Sequence, residues 1–233
     1  MRVVWAPVNY YGMAVRKDSG INTLADLKGK KVAYITANPS INVKTEAMLA
    51  FGGLTWDDVQ KTEIPSYAAQ ADALKQGKLD AISMVPPASA LYEVDSAVGI
   101  KWLPIPASDT EGWARLQKVA PWMKPGKDDR GAGLEKGKPQ ELMAYAYPMV
   151  TYAKQSADEV YSLVKAMDAT FDKYKSAAPG LADWATDKVN VMPTGVPFHE
   201  GTVKFLKEKG LWTDEAEQKN QELIDRFKKI KDA

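Results

Sequence analysis

The sequence predicts an α/β protein in which a mostly parallel sheet is flanked by helices. Three observations predict it. Between residues 15 and 104 strand-like and helix-like segments alternate, as a parallel sheet requires, because each parallel connection must cross back over the sheet. The predicted helices of that region stop at glycines that can leave the right-handed conformation: Gly29, then Gly52 and Gly53, then Gly77. At 233 residues with 45% apolar and 26% charged side chains, the chain has material for one large domain or for two lobes that each bury a core.

Each element has a local reason. In INTLADLKGKKVAYI, Asn22 or Thr23 caps a short helix, Gly29 lies past its end and residues 31–35 run on as a strand. A helix follows over 43–51. Another is predicted over 66–76, and the strand-like LDAISMV continues from it over 79–85. After Pro104 and Pro106 a helix near 109–120 leads into WMKPGKDDRGAGLEKGKP, whose Gly, Pro and charge predict loop. Residues 144–153 read as a strand. Residues 156–174 read as a helix opened by a Ser156-x-x-Glu159 capping box, with Val160, Leu163, Val164, Met167, Phe171 and Tyr174 at helical spacing. Helices over 200–209 and 214–230 complete the chain, the last with acids in its first turn and lysines at its end. The expected organisation is an entry or hinge segment at 1–13, a complete α/β lobe at 14–104, and part of a second lobe with the C-terminal helices at 105–233.

Composition narrows the function. Lys plus Arg number 31 and Asp plus Glu 30, so there is no basic field to hold nucleic acid. No segment approaches the roughly 20 apolar residues that span a bilayer. Without cysteine there is no disulfide, thiolate metal site or thiol nucleophile. His199 is the only histidine and sits at a predicted helix start, where a structural or capping role is expected. Ser162-x-x-Lys165 lacks the companion elements of serine acyl-enzymes, and Asp57-Asp58 and Asp128-Asp129 are sequence neighbours expected to face water. Nothing here calls for catalysis, a metal or a cofactor.

The informative segment is the strand-to-helix loop containing Asn38, Pro39, Ser40, Ile41 and Asn42. Such a loop opens at the carboxyl ends of parallel strands, where the free N–H groups of the helix's first turn favour an anion. Ser40 or Asn42 serves equally as a helix cap. A second loop, with Val85, Pro86 and Ser89, is expected on the same rim. A guanidinium clamp on a carboxylate requires Arg16 or Arg115 to turn inward. Trp5, Tyr10, Tyr11, Trp102, Trp113 and Trp122 are expected mainly in packing.

Several blocks together resemble a known family. VRKDSGI (15–21), DLKGKKV (26–32), GLTWDDV (53–59) and KQGKLDA (75–81), then YAYPM (145–149), EVYSLVKAM (159–167) and PFHEG (197–201), are similar in order and spacing to the TAXI branch of TRAP transporter solute receptors. The resemblance implies a two-lobed fold of the type II periplasmic binding protein plan. It implies a periplasmic receptor that closes on a small organic anion, a carboxylate such as glutamate or a dicarboxylate, and docks on a TRAP membrane permease. Two departures stand out. Ser40-Ile41-Asn42 replaces a Ser-Gly-Thr loop found in many relatives, and the signal peptide and Gly-Ser loop segment of the family do not precede Met1. The second departure implies one incomplete lobe and weak solute affinity for the chain as written. An ABC-type binding protein, an enzyme or a degenerate fragment on the same architecture are the alternatives; the related porphobilinogen deaminase needs a cysteine that this chain lacks.

Overall fold

The structure is a computed structural model that describes residues 1–193 and 195–232. The chain forms two compact units, one of Tyr10–Tyr145 and one of Met1–Asn9 with the chain from Ala146 onward. In order, the elements are β1 (Arg2–Trp5), β2 (Val8–Arg16), β3 (Lys31–Ile35), α1 (Pro39–Phe51), β4 (Gln60–Ile64), α2 (Ala69–Lys75), β5 (Ala81–Met84), α3 (Ser89–Val98), β6 (Ile100–Trp102), α4 (Thr110–Val119), β7 (Lys124–Asp128), β8 (Gln140–Ala146), β9 (Met149–Thr151), α5 (Ala157–Ala169), α6 (Phe171–Tyr174), α7 (Glu200–Glu208) and α8 (Asp214–Asp232).

The first unit is built on a seven-stranded sheet of order β4-β3-β5-β2-β8-β7, with β6 also paired to β2. β3 runs parallel to β4 and β5, joined by helical crossovers as the alternation predicts. β2 runs antiparallel to β5 and β6, and β7 antiparallel to β8, so the parallel character is confined to three strands. β2 enters before the first crossover, and residue pattern carries no information on its direction. The stretch expected as loop contributes β7, at one end of the strand order. Pro125 and Gly126 are tolerated there because an edge strand leaves one side of its backbone unpaired. Gly126 is also needed for packing: a Cβ at that position would lie 2.7 Å from Ala144 and 2.9 Å from the Tyr10 ring.

Met13, Leu27, Ile35, Met48, Leu74, Ile82 and Met84 form the centre of this unit's core. Trp113, Leu116, Met123, Leu142 and Met143 belong to the same core, so residues 105–145, placed by the sequence with the second lobe, pack on the first. The cause is α4, which lies along α1: Trp113 meets Phe51 edge to face at 6.0 Å, and Arg115 donates to the carbonyls of Ala50 and Phe51 at the end of α1. The short helix at Leu24–Leu27 forms with Thr23 as its cap and a Thr23/Asp26 capping box.

In the second unit β1 pairs antiparallel with β9, and Val3, Val4, Trp5, Val160, Val164, Phe198, Phe205 and Leu206 form the core. The strand expected over 144–153 is divided at Tyr147-Pro148, where proline has no N–H and Tyr147 donates instead to the Pro7 carbonyl. The expected 156–174 helix is interrupted at Thr170, whose hydroxyl bonds the Ala166 carbonyl. Ser156 is the N-cap of α5 but makes no side-chain cap bond, and Glu159 accepts from the Gln155 amide; Leu163 faces outward. His199 caps α7, its Nδ1 accepting from the Gly201 N–H at 3.2 Å.

This unit carries its own ionic ties. Burial acts to raise the Asp168 carboxyl, but the Lys209 ammonium at 2.8 Å and the Thr186 hydroxyl outweigh it and hold it low. Lys207 at 2.7 Å and the Trp212 N–H lower Glu217, and the Tyr161 hydroxyl and Lys165 lower Glu208. A carboxyl whose folded pKa lies below its unfolded value stabilises fully above the unfolded value and loses that contribution as pH falls through the folded one. Thermal melts should therefore show this unit losing stability as pH falls below about 4.5 toward 3, and less so with Lys209→Met; an unchanged pH dependence in that variant would remove the assignment to Asp168.

Candidate functional site

β3 and β5 are neighbours, and β4 flanks β3, so three parallel strands end on one rim of the first unit and hand over to α1, α3 and α2. Because β2 is antiparallel to β5, with Gly12 opposite Met84, Tyr10 and Tyr11 just before that pair come to the same rim.

Two buried carboxamides secure the strand ends. Asn42 Oδ1 accepts from Ile35 N at 2.8 Å while its Nδ2 donates to Ile35 O at 2.9 Å. Gln70 does the same for Ser83, with both bonds at 3.1 Å. Each amide thus satisfies backbone groups where the sheet ends and water is excluded. Around Ser83 the polar groups are saturated: Tyr11 Oη donates to its carbonyl at 2.7 Å, and its hydroxyl shares a 2.7 Å bond with Thr45. Tyr67 Oη accepts from Val85 N at 2.9 Å. Burial pushes the Tyr11 and Tyr67 phenols up, so both remain neutral at physiological pH.

The residues singled out in sequence occupy distinct places on this rim. Asn38 is the N-cap of α1 by backbone position, with no side-chain cap bond, and Pro39 opens the helix four residues earlier than the sequence predicts. Ser40 is exposed, Ile41 is in the core and Asn42 is committed to Ile35. Across from them Val85 is held by Tyr67, and Pro86 O accepts from Ala132 N at 3.2 Å. Ser89 is the exposed first residue of α3. The side chains of Asn38, Ser40 and Ser89 make no hydrogen bond among the described residues, so their polar groups are free for a partner.

The arginines of the first unit are otherwise engaged. Arg16 pairs with Asp18 at 3.2 Å, Arg115 closes the end of α1, and Arg130 binds the Asp128 carboxylate at 2.7 Å. A buried cation on this side is Lys44, which sequence reasoning did not single out. It is 9% exposed, and its ammonium lies 5.0 Å from the Tyr11 ring centre and 4.7 Å from that of Tyr145. Its position in α1 holds the signal that was missed: Ile41, Lys44, Thr45 and Met48 recur at helical spacing on the buried face, and a lysine there breaks an apolar stripe.

A separate hollow of about 590 Å³ in the second unit is lined in part by Arg2, Phe198, His199, Lys204, Lys207 and Asn220. Most of its polar groups are occupied: Lys207 by Glu217, Lys204 by Asp158, Asn220 by the Phe198 N–H and His199 by Gly201 and the Gln155 carbonyl. The rim of the first unit is the better candidate.

A sheet that ends in loops and helix starts, with unspent polar groups on its carboxyl rim, defines an α/β protein whose candidate site is the place where open α/β sheets commonly take ligands. The chain belongs to the NMT1-like family, whose model matches residues 1–210. Among solved structures it is similar to the periplasmic aliphatic sulphonate binding protein SsuA from Escherichia coli, at 18% identity and a TM-score of 0.45, covering 98% of this chain and 64% of that one. The alkanesulfonate-binding protein SsuA from Xanthomonas axonopodis pv. citri bound to MOPS matches at 18% identity and a TM-score of 0.42, over 93% and 57% of the two chains. A cysteine-binding protein from Campylobacter jejuni matches at 16% identity and a TM-score of 0.43, over 79% and 60%. The chain thus spans less than two thirds of the length of each. Among the described residues no helix is long and apolar enough to cross a membrane.

Proposed function

We propose that this chain serves as a solute receptor outside the cytoplasm, of the TAXI type of TRAP transporter, holding a small organic anion and passing it unchanged to a membrane permease. The holding surface is the carboxyl rim of the first unit, with Asn38, Pro39, Ser40, Ile41 and Asn42 on one loop and Val85, Pro86 and Ser89 on the other. Asn42 and Ile41 act by shaping the first loop; Asn38, Ser40 and Ser89 supply the contacts. The observation that carries the reading is the start of α1, a 13-residue helix whose first turn reaches the surface with no acidic residue in it and with Asn38 and Ser40 unspent. Such a terminus attracts a carboxylate chiefly through its partial positive charge, since Pro39 has no N–H and that of Ile41 bonds the Asn38 carbonyl at 3.1 Å. The TAXI-like blocks, which extend through both units, support the transport role.

The test is an amide-NMR titration of the chain with succinate, glutamate and a neutral diamide at millimolar concentration. Shifts centred on residues 38–42 and 85–89 and on the rim residues beside them, produced by the anions and not by the diamide, are the expected result. Anion-induced shifts that leave this rim untouched, or none at all, would refute the assignment.

A further inference from the structure

We propose that Lys44 is the positive anchor of this rim, receiving a carboxylate or sulfonate group of the solute at its ammonium, beside the touching rings of Tyr11 and Tyr145. This rests on the rim being the binding surface and adds the residue that selects the charge of what binds there.

Lys44 carries a buried charge that has no counter-ion among the described residues. A lysine buried in a folded chain is ordinarily paired or hydrogen-bonded, because desolvating an ammonium is costly. Lys44 makes no ion pair and no hydrogen bond among the described residues. Burial alone acts on its ammonium, depressing its pKa, and no carboxylate opposes the effect. Two aromatic faces compensate in part: both ring centres are within cation–π reach, and the rings meet each other edge to face at 6.3 Å. Tyr11 and Tyr67 are neutral phenols held by Ser83 and Val85, so neither supplies the missing negative charge.

The ammonium is also accessible. Every fully enclosed side-chain nitrogen or oxygen among the described residues has a hydrogen-bond partner, and the Lys44 ammonium has none, so it keeps an opening to solvent. A desolvated ammonium behind a narrow opening, framed by apolar ring faces, suits a compact oxyanion carried on an apolar or short polar body. With the guanidiniums of Arg16, Arg115 and Arg130 engaged elsewhere, Lys44 is a buried cation of this unit without an anionic partner among the described residues.

The experiment compares succinate, ethanesulfonate and succinamide by calorimetric or NMR titration of the full chain and of two variants. Lys44→Met keeps the length of the stem and removes the charge. Lys61→Met removes an exposed lysine whose ammonium sits 3.7 Å from the Tyr34 ring, and serves as the control for a general loss of positive field. The expected result is binding of at least one oxyanion and not of the diamide, weakened about tenfold or more in Lys44→Met and unchanged in Lys61→Met. The relative strength of succinate and ethanesulfonate tells whether carboxylate or sulfonate is preferred. If the chain binds the anions and Lys44→Met binds them equally well, the anchor is refuted while the rim reading stands. If no probe binds, both fall. Equal weakening of diamide and anions would assign Lys44 to packing and also overturn the proposal. The free Lys44→Met variant should melt at or above the parent temperature, since an unpaired buried charge is removed. Should it not fold, the Lys44 side-chain NMR signal of the unaltered chain decides: it should move on saturation with succinate, and a fixed signal would overturn the inference.

Discussion

Asn42→Ala should lower the unfolding free energy of the first unit by about 2–3 kcal/mol in urea denaturation. The carboxamide is buried and makes two bonds to one residue, Ile35, at the end of β3. Truncation leaves the Ile35 N–H without its acceptor in a site that excludes water, and the carbonyl with only the 3.2 Å bond from Asn38 N. Asn42→Asp should not restore stability, because a carboxylate offers no donor to the Ile35 carbonyl and brings a buried charge. Gln70→Ala, which releases Ser83 in the same way, provides an independent check on the second strand end. A loss below about 0.5 kcal/mol in Asn42→Ala, the range of ordinary surface substitutions, would show that the strand end is held by other means.

Gly201→Ala should destabilise the second unit by about 2–3 kcal/mol, against the gain in helix propensity that alanine normally brings to a helix. Gly201 lies in the first turn of α7, where the helix approaches α5. An added methyl would sit 2.3 Å from the Ala157 carbonyl oxygen and 2.7 Å from the Tyr161 nitrogen, and backbone atoms cannot turn aside as a side chain can. The two helices must separate, which loosens the packing of Val160 and Phe205 in the core. Tryptophan near-UV dichroism, sensitive to Trp5 against Phe205, should weaken in the variant. A variant as stable as the parent would mean that the start of α5 can shift without cost.

Much of the first unit was legible because its signals are local. Residues 31–35 form the strand their pattern predicts, and the Thr23/Asp26 capping box forms where the residues stand. The Ser156 box shows the limit of the same logic: the residue types are right and the position is an N-cap, yet Glu159 is taken by Gln155. β7 was not legible because Pro125 and Gly126 argue against a strand until it is known to lie at an edge. Pro104 and Pro106 mark a change in chain direction, but they do not say which core receives Trp113; its contact with Phe51 does.

The candidate site divides in the same way. Strand followed by helix, with Asn38, Pro39 and Ser40 between, places a polar loop at a strand's carboxyl end whatever the rest of the fold does. The sequence by itself determined the crossover grammar, the helix stops and the kind of loop on the rim, since each depends on neighbours a few residues apart. Only the tertiary structure decided which polar groups remain for a ligand. Asn42 is consumed by a strand end, three arginines are engaged within the first unit, and Lys44 is left buried and unpaired beside two tyrosines distant in the chain. Burial and pairing depend on what packs against a side chain, and long-range packing sets that.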